Sequence, residues 1–171
     1  VLAVGRRMRR AAARAGDHDL RRPPLEAGHQ LPQGMRQPLR MPRHEENGRR
    51  VAHFLRDQPK VLRVHWPGFP DHPGHEIQKR QATGFGALIS FDLGSRDAAD
   101  RFLRAVRLCS LGESLGGVKS LVSHPASMTP ASIPAARRAA LGLSDALVRL
   151  SPGLEHADDL VADILEGLVS S

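Results

Sequence analysis

Arg149 lies in the run DALVRLSPG, between Val148 and Leu150. A guanidinium in so apolar a segment needs an anionic partner, because an unpaired buried charge is costly. No acid in the strand can supply one. A ligand carboxylate would fit, since arginine pairs with it through two parallel hydrogen bonds. A distant Asp or Glu in a structural ion pair would fit equally well, and the pattern alone does not choose.

The other residue types able to do chemistry offer less. His65, His72 and His75 are grouped, but no carboxylate or thiol stands at ligand spacing beside them, so metal binding is not expected. Cys109 is the sole cysteine and falls in an apolar segment, where a small buried residue is expected rather than a nucleophile. Schiff-base chemistry needs a buried lysine of lowered basicity. Lys60 opens a strand, Lys79 adjoins Arg80, and Lys119 follows a glycine pair; none has that setting.

Elements must hold these side chains in place. PRHEENGRRVAHFLRDQP reads as a helix, with Pro42 in its first turn and Glu45 and Glu46 set against the positive end of its dipole. Val51, Phe54 and Leu55 form its apolar stripe, and Pro59 ends it. KVLRVHW, GALISFDL, RLCSLG, VKSLVS and ALVRLSPG read as short strands. HEIQKRQA, SRDAADRFLRAVRL with Ser95 as N-cap, PAARRAALG and LEHADDLVADILEGLV read as helices. This alternation predicts an α/β fold: a sheet of about four strands with helices on one face, preceded by the long helix.

Residues 1–37 show neither period and are broken by prolines and glycines, which predicts a disordered basic segment followed by one domain over 38–171. The net charge of +7 comes from residues 1–50, which hold 12 basic and 5 acidic residues; residues 51–171 hold 13 of each. No aromatic residue is interleaved with the arginines, so specific nucleic-acid binding is not expected. No apolar run has the length of a membrane span. With one thiol and no secretory leader expected, a cytoplasmic protein is predicted.

Between the strands lies SLGESLGGVKSLVSHPASMTPASIP, too small and polar to build a core. This stretch, together with VHWPGFPDHPGHEIQKRQATGFGALISFDL and RRAALGLSDALVRLSPGLEHADDLVADI, resembles the C-terminal part of the Cys/Met-metabolism enzymes. These depend on pyridoxal 5'-phosphate (PLP) and include cystathionine gamma-synthases and gamma-lyases, methionine gamma-lyases and homoserine sulfhydrylases. The resemblance spans roughly residues 39–168. It implies the small C-terminal domain of a fold-type I PLP-dependent transferase, whose polar stretch is an active-site connector against a larger cofactor-bearing domain. By the same resemblance Arg149 clamps the substrate α-carboxylate with help from Ser114, Glu113 lies near the substrate side chain, and Thr129 stands close to the site. The substrate would be a sulfur amino acid or an activated homoserine.

The Schiff-base lysine of the family, in its Ser-x-Thr-Lys setting, has no counterpart here. No catalytic residue is therefore expected, and PLP is expected to bind the parent family but not this chain alone. Pro130 replaces a usual histidine, Pro152 a usual aliphatic residue and Lys119 a usual glutamate. An upstream frameshift would explain the arginine-rich text before residue 38; sequencing upstream DNA that lacks a shifted lysine motif would refute it. The expected function is a truncated trans-sulfuration enzyme, of carbon-sulfur lyase or gamma-synthase type, inactive alone. The alternative is an interaction fragment that associates with a full-length paralogue or with itself.

Overall fold

The computed structural model describes residues 33–128 and 144–171, with side chains from residue 38 onward. The expected disorder of residues 1–37 falls largely outside this range, as do Thr129, Pro130 and the helix read over 134–142.

Helix α1 spans Gln33–Arg56, β1 Arg63–His65, α2 His75–Gln81, β2 Ile89–Asp92 and α3 Arg96–Ala105. They are followed by β3 Ser110–Leu111, β4 Leu121–Ser123, the single turn α4 Pro125–Met128, β5 Leu147–Ser151 and α5 Ala157–Ser170. The five strands form one sheet in the order β1-β2-β5-β4-β3, one strand more than the expected four. All five fall within the runs read as strands; β3 is a two-residue edge strand running parallel to β4.

Helix α1 starts nine residues before Pro42, so that proline is internal rather than in the first turn, and Pro38 is internal too. Each removes one i→i−4 bond. Both prolines are exposed, so the carbonyls they release can turn to water. The helix is anchored downstream, where Val51, Ala52 and Leu55 are fully buried.

The sheet is two-sided. Register places Val64 opposite Phe91, Phe91 opposite Val148, and Leu150 opposite both Ile89 and Val122. Apart from half-buried Val64, these residues are almost wholly buried. They join one cluster with Leu55 of α1, Phe102 of α3, and Leu160, Ile164 and Leu168 of α5. Phe91 meets Phe102 edge to face, with ring centroids 5.3 Å apart. The helices therefore cover one face, as the alternation predicted. Ser95 caps α3, its hydroxyl accepting from the Ala98 N–H at 3.1 Å.

Two polar ties fix the frame. The Asp163 carboxylate of α5 accepts the N–H groups of Arg107, Leu108 and Cys109 at 2.6 to 3.0 Å, stapling the turn before β3 to the last helix. On α1, His44 Nδ1 donates to the Pro152 carbonyl at 2.7 Å, and Asn47 Nδ2 donates to the Gly153 and Glu155 carbonyls, each at 2.9 Å. A Cβ at Gly153 would overlap the Val118 carbonyl oxygen, so only glycine fits this turn.

Candidate active-site face

The second face of the sheet carries the polar strand residues. Because directly paired residues in an antiparallel ladder project to the same side, register sets His65, Ser90, Arg149 and Ser123 in one row across β1, β2, β5 and β4. Arg149 holds the middle of this row. Its side chain leaves the core although Val148 and Leu150 enter it, since neighbours along a strand alternate.

The connector after β3 lies along β5. Arg149 Nη2 donates to the Glu113 carbonyl oxygen at 2.8 Å. The Gly116 N–H donates to Ser151 Oγ at 3.1 Å. Gly116 has φ +72°, a conformation natural to glycine, and it turns the connector back there. Two bonds from β5 thus hold the polar stretch whose small residues cannot pack.

Of the four residues expected to bind substrate, the fold brings Arg149 and Glu113 together, through the Glu113 backbone and not its carboxylate. The Glu113 and Ser114 residues are exposed beside them. Thr129 lies outside the described residues. Its stalk is well held: His124 is fully buried, with Nδ1 2.8 Å from Ser127 Oγ and Nε2 2.7 Å from the Asp145 carbonyl. That pairing ties the two flanks of residues 129–143 to each other.

Among the described residues Arg149 makes no ion pair. The structural-partner alternative thus finds no acid at this position. What the arrangement offers is a half-buried guanidinium between half-buried Ser90 and buried Ser123, with an oriented backbone carbonyl fixing its angle. Such a group binds and orients a carboxylate. Ser90 and Ser123 were not singled out in the sequence; the strand alternation that places Arg149 also places them.

Cys109 is buried. Burial, and then the neighbouring Asp163 carboxylate, push its thiol well above the ordinary cysteine range, so it stays protonated and is no nucleophile. Burial would also raise Asp163. The N–H groups of Leu108, Arg107 and Cys109, with the Cys109 thiol, outweigh that and hold the carboxyl below its usual value.

The sequence profile of the Cys/Met metabolism PLP-dependent enzymes matches residues 25–169. The chain belongs to this family. The match begins upstream of residue 39 and takes in part of the segment expected to be unrelated. Over 130 residues the family member is 49% identical to a cystathionine gamma-lyase of Bacillus subtilis, covering 76% of this chain and 34% of that protein. Over 131 residues it is 48% identical to an L-methionine gamma-lyase of Fusobacterium nucleatum subsp. polymorphum, covering 76% of this chain and 33% of that protein. A crystal structure of cystathionine gamma synthase from Xanthomonas oryzae pv. oryzae, in complex with cystathionine, superposes with a TM-score of 0.76 at 45% identity. That match covers 81% of this chain and 36% of the other. The chain thus spans about a third of the length of the curated relatives it matches.

The family's cofactor does not fit the lysines present. Lys60 Nζ donates to the carbonyls of Leu168, Val169 and Ser171 at 2.8, 3.1 and 2.9 Å. It serves as a cap on the C-terminal end of α5, where a cation is favoured. Lys79 and Lys119 are exposed. None stands in the buried setting that a Schiff-base amine requires.

Proposed function

We propose that this chain is the substrate-carboxylate-binding portion of a PLP-dependent trans-sulfuration enzyme of carbon-sulfur lyase or gamma-synthase type. Arg149 receives the α-carboxylate of a sulfur amino acid or an activated homoserine. Ser114 assists it, and Glu113 and Thr129 lie toward the substrate side chain. The observation that carries this reading is the half-buried Arg149 guanidinium, set mid-row across the sheet with no acid paired to it among the described residues. The cofactor belongs to protein outside this chain, which is inactive alone and works in the cytoplasm.

A chimera tests it. The corresponding portion of Bacillus subtilis cystathionine gamma-lyase is replaced by residues 39–171, and turnover of cystathionine is measured. A charge-assisted pair contributes about 1.5–3 kcal/mol, so Arg149→Ala in the chimera lowers kcat/KM by roughly 10- to 100-fold, mainly through KM. An active chimera whose KM ignores this substitution would refute the assignment.

A second reading, self-association or pairing with a full-length paralogue, draws on Leu111, Leu115 and Val118, all more than half exposed around the connector. A light-scattering mass that stays monomeric with concentration, alone and with such a paralogue, removes it.

A further inference from the structure

The three grouped histidines part company in the fold. His75 is occupied, its Nδ1 donating to the Pro67 carbonyl at 2.8 Å while its ring stacks on Phe85. His65 and His72, with Arg63, Phe69 and Asp71, line a cleft of about 340 Å³ beside β1, at the edge of the sheet.

The charges lining this cleft are unbalanced. Asp71 is bound at both carboxylate oxygens by Arg56, at 3.0 Å each, and the same guanidinium lies 4.5 Å over the Phe69 ring. The one acid in the lining is therefore already neutralised. His72 Nδ1 accepts the Gly74 N–H at 3.0 Å, so the neutral ring carries its proton on Nε2. Arg63 and His65 have no hydrogen-bond or ion-pair partner among the described residues. One guanidinium and two imidazoles thus share a cleft whose one lining acid is already paired, with Asp92 opposite Arg63 on β2 outside the lining, and Phe69 supplies an apolar wall.

We propose that this cleft is a second binding site, separate from the Arg149 site, that takes a phosphate group, either free or as a small phosphate ester. Arg63 supplies the fork of donors that suits phosphate oxygens, and His65 and His72 supply single N–H donors. A body attached to the phosphate would rest on Phe69. His65 stands two strands from Arg149 in the row across the sheet, about 10 Å at normal strand spacing.

The local field agrees. Burial, then the charges of Arg63 and His72, lower the His65 pKa, and only Asp92 opposes them. Asp92 keeps its charge but is held away by the Gly94 N–H and Ser144 Oγ, from which it accepts, and the net effect on His65 remains a lowering. A phosphate seated here reverses that balance and favours the imidazolium, so its binding takes up a proton and strengthens as pH falls through the His65 titration.

The test is proton NMR of the histidine Cε1–H resonances, titrated with inorganic phosphate and with phenyl phosphate against chloride of equal ionic strength. The expected result is a saturable shift of His65 and His72, and a His65 titration midpoint that rises. His156, exposed at the N-cap of α5 and absent from the cleft lining, stays put. Tighter binding of phenyl phosphate identifies an ester as the ligand, and equal binding identifies free phosphate. Arg63→Gln weakens binding about tenfold, in line with loss of one charge-assisted contact. His72→Gln, which leaves the arginine in place, weakens it less. The site is refuted if no saturable shift occurs, if His156 moves in parallel with His65, or if both variants bind like the parent chain.

Discussion

The Arg149 guanidinium is aimed by the main chain of Glu113, whose carbonyl oxygen accepts from Nη2 at 2.8 Å. A carbonyl sets the direction of a cation without neutralising it. The side chain therefore keeps its full charge while giving up part of its rotational freedom, which is what a preorganised carboxylate receptor requires.

Because no acid among the described residues is stranded by its removal, Arg149→Ala should cost little stability. One hydrogen bond to a carbonyl is lost from a half-buried position, so the expected change is within about 1 kcal/mol. Breaking a buried structural ion pair would cost roughly 3–5 kcal/mol. Urea unfolding of both forms distinguishes them, and a loss of the larger size means that Arg149 has a structural partner.

Asp163 should be one of the costly carboxylates. Asp163→Ala leaves three backbone N–H groups without their acceptor, for an expected loss of about 2–4 kcal/mol. Its carboxyl is held below the usual value in the fold, so the folded state binds that proton less readily than the unfolded chain. The stabilisation is complete above the unfolded carboxylate value and is lost as pH falls through the lowered folded one. The acid limb of a urea-midpoint against pH curve should flatten in Asp163→Asn. An unchanged limb would show that another group sets it.

Lys60 should behave as a helix cap and not as a reactive amine. Lys60→Met removes a cation from the end of α5 and should cost about 1 kcal/mol, with faster amide exchange in the last turn of that helix. In the parent chain, borohydride reduction in the presence of PLP should tag Lys79 and Lys119 ahead of Lys60. Stoichiometric labelling of Lys60 alone would contradict the capping role.

Much of this architecture could be read from local pattern. The apolar alternation of GALISFDL and ALVRLSPG locates two central strands, and the Ser95 cap is set by its own neighbours. Arg149 stands out because a charge interrupts an apolar run. What escaped reading was decided by contacts distant in sequence. Nothing near His44 and Asn47 reveals that they are buried to hold the Pro152–Gly153 turn. Asp163 sits on what looks like the polar side of α5, yet it is consumed by a turn 54 to 56 residues earlier. The start of α1 was misplaced because proline is a strong local stop signal, and the buried stripe further along the helix overrides it.

The strand order has a kinetic consequence. β2 and β4 never pair with each other, and they are joined only through β5, the last of the five to be synthesised. Until residues 147–151 arrive, the sheet exists as two unjoined halves, each with an unpaired inner edge and apolar side chains awaiting the Val148 and Leu150 layer. A nascent chain paused before Leu147 therefore presents two sticky templates at once. Chaperone dependence and misassembly should be concentrated in that interval, and a single strand insertion ends it.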